Sequence, residues 1–188
     1  MSAATLNLKR ATIVDLAREE GKAELIDGRI VQYMATGIRP SRIAARIFRS
    51  LDDYVTSAGR GYAFTDSLGF AVPELFSGRE SFSPDASYYD GPLPANLMKF
   101  VEGPPTFAVE VRSENDYGPS AERQTAAKRA DYFEAGTTVV WDVDPIAGEI
   151  RSYRASSPDR PLLFVAGSQA DAEPAVPGWS VAVDWVMM

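Results

Sequence analysis

The sequence predicts an α/β (α+β) protein in which a mixed β-sheet is flanked by helices, and three observations favour this class. Strand-like segments outnumber helical ones along the 188 residues. Several of them are joined by tight turns, which is typical of mixed or antiparallel sheets. Two longer segments repeat their apolar residues at helical spacing, so helices should pack on that sheet. A hydrophobic content of 45% is enough for one core, and we expect 1–188 to form a single domain.

The first third of the chain predicts a helix, a β-hairpin and a second helix. After a short capped helix at about 12–20, the segment "AELIDGRIVQY" (23–33) alternates around Asp27-Gly28, a strong hairpin signal. The segment 40–59 has the apolar spacing of an amphipathic helix that ends at Gly59. Its apolar positions are Ile43, Ile47, Leu51 and Tyr54.

The rest of the chain predicts mainly strands. The clearest is "PTFAVEVR" (105–112), whose alternation places Phe107, Val109 and Val111 on one face and Glu110 with Arg112 on the other. A helix at about 120–135 should precede a central strand at 137–144. Shorter strands are expected at 62–65, 68–72, 85–89, 149–154, 161–165 and 179–186, and an exposed loop at 166–178.

Composition excludes several kinds of chemistry. The chain has no Cys and no His, which removes disulfides, thiolate sites, Ser-His-Asp triads and nearly all zinc sites. Carboxylates remain, and they prefer hard cations such as Mg²⁺ or Mn²⁺. The net charge of −7 argues against a protein that coats nucleic acid by charge alone.

The sequence carries no sign of a targeting or membrane segment. Its first residues lack a basic start followed by an apolar stretch, and no later segment reaches about 18 apolar residues. We therefore expect a cytoplasmic protein with no membrane association.

The segment "SFSPDASYYD" (81–90) places Asp85 at the mouth of a strand. If this strand pairs beside 105–112, Asp85 and Glu110 converge, and a divalent cation between them would keep both ionised. The alternatives involve no metal: Asp85 would be a turn residue, and Glu110 would form a surface ion pair with Arg112.

Two sets of basic residues are candidates for function. Lys128 shares one stripe of its helix with Thr125 and Tyr132, which points its ammonium either at the carboxylates or, as a packed stem, to solvent. A second stripe on the helix 40–59 offers a basic approach surface for nucleic acid, or simply a solvated face. It consists of Arg42, Arg46 and Arg49.

These motifs carry a resemblance. "PDASYYD", "FAVEVRSEND" and "KRADYFEAGTTVVWDVDP" occur in the order and at the spacing of a bacterial family described as putative restriction endonuclease, within the PD-(D/E)xK nuclease superfamily. The chain is similar to that family from "AELIDGRIV" to the closing "GW". The resemblance implies a restriction endonuclease-like core and a divalent metal held by Asp85 and Glu110, with Glu24 completing the acidic cluster.

The resemblance also implies catalytic roles. The superfamily places a Lys two residues after the Glu, whereas this chain has Arg112, which cannot act as a base. Lys128 looks like the migrated lysine that orients water or stabilises developing charge, and Arg112 is left to clamp a phosphate oxygen.

The sequence leaves three functions open. The first is a Mg²⁺- or Mn²⁺-dependent endonuclease acting on DNA; the second is a catalytically silent homo-oligomeric module for protein or nucleic-acid interaction; the third is a small-molecule hydrolase. We also expect a homodimer, because "GWSVAVDWVMM" (178–188) is too apolar to be left in water.

Overall fold

The structure is a computed structural model that describes residues 10–188, and within that range it contains four helices and thirteen strands. The helices are α1 (Ile13–Leu16), α2 (Ile38–Ala58), α3 (Pro119–Ala135) and α4 (Val183–Met187). The strands are β1 (Ala23–Ile26), β2 (Arg29–Gln32), β3 (Tyr62–Thr65), β4 (Phe70–Ala71), β5 (Ser81–Phe82), β6 (Ala86–Tyr89), β7 (Val101–Glu102), β8 (Phe107–Val111), β9 (Val139–Asp144), β10 (Glu149–Arg154), β11 (Ser157–Phe164), β12 (Gln169–Asp171) and β13 (Ser180–Ala182).

A mixed six-stranded sheet forms the centre, with the strand order β11-β10-β9-β8-β6-β3. Its neighbouring strands run antiparallel except β8 and β9, which are parallel and are connected through α3. Smaller sheets surround it: the hairpin β1-β2, the pair β12-β13 and the three-stranded sheet β5-β4-β7. The predicted class, a mixed sheet flanked by helices with an N-terminal hairpin and extra antiparallel strands, is confirmed.

The central sheet is covered by a hydrophobic core on each face. Ile47 of α2 packs in one core with Val109, whereas Tyr132 of α3 packs in the other core with Ala108. Because consecutive residues of a strand point to opposite faces, β8 contributes to both cores. The alternation in "PTFAVEVR" therefore decides which side chains share the α3 face with Glu110.

Local signals explain the best-predicted elements. Asp27 and Gly28 both adopt positive φ, 50° and 65°, as a two-residue hairpin turn between β1 and β2 requires. Gly59 and Gly136 end α2 and α3 in the left-handed conformation that glycine adopts without steric cost.

Two predictions for the C-terminal quarter are wrong. The segment 166–178 is not an exposed loop, because it contains β12 and buries Ala170 and Val176 in the core. The expected strand 179–186 divides into β13 and the helix α4, whose Val183 and Val186 are buried against the α2 side. Asp184 accepts a hydrogen bond from the backbone N–H of Gly167, which anchors this helix.

Other boundaries differ less. The first helix is only one turn, Ile13–Leu16, held by a capping box between Thr12 and Asp15. Among residues 10–188, no helix combines the length and apolar character needed to cross a bilayer. The expectation of a single domain over 1–188 stays a prediction.

Candidate active site

Asp85 and Glu110 lie opposite each other where β6 meets β8. The antiparallel register pairs Ala86 with Val109, so the preceding residue of β6 falls beside the following residue of β8. The backbone N–H of Asp85 donates to the carbonyl of Val109 at 2.9 Å, and Asp85 Oδ2 accepts from the N–H of Val111 at 2.7 Å. Directly opposed residues share a face of the sheet. The two carboxylates therefore lie on one face, with side chains 23% and 24% exposed.

Lys128 reaches this face from α3. Its Nζ lies 2.9 Å from Glu110 Oε1 and 3.1 Å from Glu24 Oε1, and the side chain is 16% exposed. One turn further along α3, the hydroxyl of Tyr132 donates to Glu110 Oε1 at 2.6 Å. The ammonium is directed at the carboxylates, and the alternative of a stem that carries its charge to solvent does not apply.

Glu24 of β1 is completely buried, and both of its oxygens are occupied. Oε1 meets Lys128 and accepts from the N–H of Ser83 at 3.0 Å. Oε2 accepts from Arg79 and from the hydroxyl of Tyr33 at 2.7 Å. Burial alone would raise the pKa of Glu24, but the two cations and the two hydrogen bonds lower it to about 2. Glu24 is thus an ionised buried anchor.

Burial and neighbouring charges have opposing effects on the pKa values of Glu110 and Lys128. Burial raises the pKa of Glu110, and Asp85 adds to this effect while Lys128 counteracts it. Burial would lower the pKa of Lys128, but Glu110 and Glu24 outweigh burial and raise it. Lys128 is therefore protonated at neutral pH, and the charge of Glu110 depends on cations beside it.

Sequence reasoning missed three residues of this cluster. Lys22 precedes β1 and places its Nζ 2.5 Å from Asp85 Oδ1. Arg79, in the loop before β5, contacts Glu24 and lies 2.8 Å from Asp131. Tyr33 follows β2. Lys22 and Tyr33 could have been predicted to lie near Glu24, because the hairpin register pairs them at its open end. No local sequence pattern indicates that Arg79 belongs to the cluster.

The structure does not bring Arg112 to the carboxylate pair, contrary to the prediction of a phosphate clamp. Its side chain is 5% exposed, and its guanidinium forms two hydrogen bonds of 2.7 Å with Asp142. It also binds Glu122 of α3 through both terminal nitrogens. A guanidinium held by these carboxylates joins β8, β9 and α3 and has no free fork for a phosphate.

The structure also separates the stripe of Arg42, Arg46 and Arg49 from the carboxylates. These residues belong to α2, which packs on the face of the central sheet opposite to α3. Arg46 donates to the carbonyl of Val186 at 3.3 Å and thereby fastens α4. The stripe therefore lies away from the carboxylate pair, and its part as a basic approach surface for nucleic acid stays a prediction.

Comparison with known proteins assigns the chain to a family. The model of the Uma2 family, described as putative restriction endonuclease, matches residues 10–184. The chain belongs to this family. The search of curated proteins gave no match. Among solved structures, the chain is similar to a putative nuclease of the DUF820 group from Anabaena variabilis, at 17% identity and a TM-score of 0.71, with 94% of this chain and 97% of that chain covered. That likeness supports the nuclease-like fold.

Restriction endonuclease-like families typically depend on a metal ion, and part of the predicted ligand set fits one. Asp85 and Glu110 supply hard oxygen donors on one face, both partly exposed, and Mg²⁺ is often held by one or two carboxylates and water. Glu24 does not fit as a direct ligand, because four donors already occupy its two oxygens. Within residues 10–188, no group of three or more acidic side chains is arranged to hold an ion.

Proposed function

We propose that this protein is a Mg²⁺- or Mn²⁺-dependent endonuclease that hydrolyses phosphodiester bonds of DNA. The observation that carries the proposal is the pairing of Asp85 with Glu110 across β6 and β8, with the Lys128 ammonium 2.9 Å from Glu110. Two partly exposed carboxylates and one fixed cation match the needs of phosphodiester hydrolysis, in which charge develops on a phosphate near an activated water. Membership of the restriction endonuclease family supports the same reaction class.

In this proposal each residue has a distinct task. Asp85 and Glu110 hold the divalent ion, which when bound lowers the pKa of a water and neutralises charge on the scissile phosphate. Lys128 stays protonated, because Glu110 and Glu24 raise its pKa, so it acts as a cationic donor and not as a base. Glu24 and Tyr132 fix the positions of Lys128 and Glu110 without touching the substrate.

Cleavage assays on supercoiled plasmid and single-stranded DNA, with Mg²⁺ or Mn²⁺, test the proposal. The unaltered protein should cut in either metal and lose activity in excess chelator. Asp85→Asn should abolish cutting and weaken Mn²⁺ binding, because a neutral amide is a poorer ligand for a hard cation. The matched control is Asp159→Asn, since Asp159 is exposed on the edge strand β11; it should cut normally. No cleavage of any substrate by the unaltered protein would contradict the proposal.

A catalytically silent, homo-oligomeric interaction module is the second candidate. It is favoured by one observation: Lys22 and Lys128 already neutralise Asp85 and Glu110, the two carboxylates that a metal-dependent nuclease would need. The apolar C-terminal segment no longer supports a homodimer, because its Val183 and Val186 are buried within their own chain. Dimerisation stays a prediction, which sedimentation at micromolar concentration tests. A cytoplasmic location is also part of the proposal.

A further inference from the structure

Lys22 is the cation that lies beside Asp85. Its Nζ is 2.5 Å from Asp85 Oδ1, and the two side chains are 20% and 23% exposed. The backbone of Lys22 is fixed, because its carbonyl accepts from the N–H of Tyr33 at 2.9 Å and closes the open end of the β1-β2 hairpin. A defined element thus presents this ammonium to the carboxylate.

The ammonium occupies the oxygen that a metal ion would use. Asp85 Oδ2 is engaged by the backbone N–H of Val111 at 2.7 Å, so Oδ1 is the oxygen turned toward cations. An ammonium and a divalent ion carry like charge, and both cannot stay in contact with the same oxygen without repulsion. Metal binding at Asp85 therefore requires Lys22 to move.

Lys22 has room to move, unlike Lys128. Lys128 bridges Glu24 and Glu110 and is held by two buried or half-buried carboxylates. Within residues 10–188, Asp85 is the one charged group at ion-pair distance from Lys22, and Lys22 is among the residues that line a cavity of about 420 Å³. Ser83 and Phe100 also line this cavity, which gives the lysine a place beside the site.

We propose that Lys22 is a displaceable counter-ion for Asp85: it holds the carboxylate in position, and it releases Oδ1 when a divalent cation binds. This inference rests on the proposed function in taking Asp85 as a metal ligand.

Calorimetric titration of Mn²⁺ into the full chain tests the inference without any cleavage assay. Lys22→Met removes the competing charge and keeps most of the aliphatic stem, so it should bind Mn²⁺ about two- to fivefold more tightly than the unaltered protein, the range expected for loss of a partly exposed ion pair. Lys22→Arg keeps the charge and should bind no more tightly. Lys99→Met is the matched control, because Lys99 is exposed in the loop before β7; it should leave the affinity unchanged.

Each outcome of the Mn²⁺ titrations either supports or overturns the role of Lys22 as a displaceable counter-ion. Tighter binding by Lys22→Met alone supports the inference, as does Mn²⁺ binding that appears only in this variant. Equal or weaker binding by a folded Lys22→Met protein overturns it, and so does the absence of binding in every protein. Failure of the proposed function is distinguishable, because it would appear as absent DNA cleavage while the order of Mn²⁺ affinities is kept.

Discussion

Lys128 connects Glu24, the buried anchor, to Glu110 of the partly exposed carboxylate pair. It neutralises Glu24, which is fully buried, and Glu110, which is partly exposed. This position gives the residue a part in folding as well as its proposed part in catalysis. The effect of substituting Lys128 therefore has to be measured on both folding stability and DNA cleavage.

Lys128→Ala should reduce DNA cleavage about 10²–10³-fold, the loss typical of one transition-state donor. It should not weaken Mn²⁺ binding, since it removes a cation next to Glu110. Steady-state kinetics on plasmid and a Mn²⁺ titration measure the two effects. Lys99→Ala serves as the control, and circular dichroism establishes that the variant is folded. Unchanged cleavage would remove Lys128 from the mechanism.

Glu24 makes the free energy of unfolding depend on pH in the acidic range. Its pKa is lowered from 4.5 to about 2 in the folded protein. A lowered pKa means that the unfolded chain binds the proton first, so the stabilisation is complete above pH 4.5 and is lost as the pH falls toward 2. A shift of this size corresponds to on the order of 3 kcal/mol.

Glu24→Gln should therefore lower the free energy of unfolding at pH 7 and remove much of its decline between pH 4.5 and 2. Urea unfolding at several pH values measures both effects. Glu102→Gln is a suitable control, because Glu102 is exposed on β7. An unaltered pH profile in the Glu24 variant would mean that other carboxylates cause the acid sensitivity.

At the scale of secondary-structure elements, Arg112 links the end of β8 to β9 and α3. It binds Asp142 of β9 and Glu122 of α3, and its guanidinium lies 5.8 Å from the ring centroid of Tyr117. Glu110, the member of the carboxylate pair that lies on β8, depends on this arrangement through the position of the strand. The contribution of Arg112 is therefore to stability.

Arg112→Lys should destabilise the fold by about 2 kcal/mol, because lysine keeps the charge but loses the forked hydrogen bonds. The kcat of the folded variant should stay within about twofold of normal. Urea unfolding and plasmid cleavage measure the two quantities. A large loss of kcat in a stably folded variant would restore Arg112 to the catalytic group.

The elements also show what local sequence can and cannot predict. Alternation and turn chemistry predicted the hairpin and the placing of Asp85 opposite Glu110, because register is set by side-chain period and hydrophobic face. They missed α4, since "VAVDWVMM" alternates like a strand. Its helical form depends on burial of Val183 and Val186 against α2 and on the contact of Asp184 with Gly167.

The candidate site shows the same limit. The stripe that predicted Lys128 is a local property of α3, and the structure brings this residue to Glu110. Arg79 comes from a loop and reaches Glu24, 55 residues away along the chain, so no local pattern marks it. Arg112 was placed on the right face of β8, but its partners on α3 and β9 are tertiary contacts that alternation does not reveal.

At the scale of the whole molecule, the central sheet separates the larger hydrophobic core from the candidate site. The face covered by α2 and α4 holds the larger core, with Trp141 and Trp179 in contact at 5.2 Å between ring centroids. The face covered by α3 holds the carboxylate pair and its lysines. Because the chain has a net charge of −7, we expect DNA to be recruited by the bound cation and the lysines near it, and not by the overall charge.

Metal binding by Asp85 and Glu110 is tested most directly by the position of Mn²⁺ in crystals of this protein, located by its anomalous scattering. We expect a peak between Asp85 and Glu110, with the Lys22 ammonium moved away from Asp85 Oδ1. Asp142 and Asp144 are buried acidic residues that Arg112 already neutralises, so they provide an internal comparison. A well-ordered structure with no peak beside Asp85, or with the peak at Asp142 and Asp144, would contradict the account.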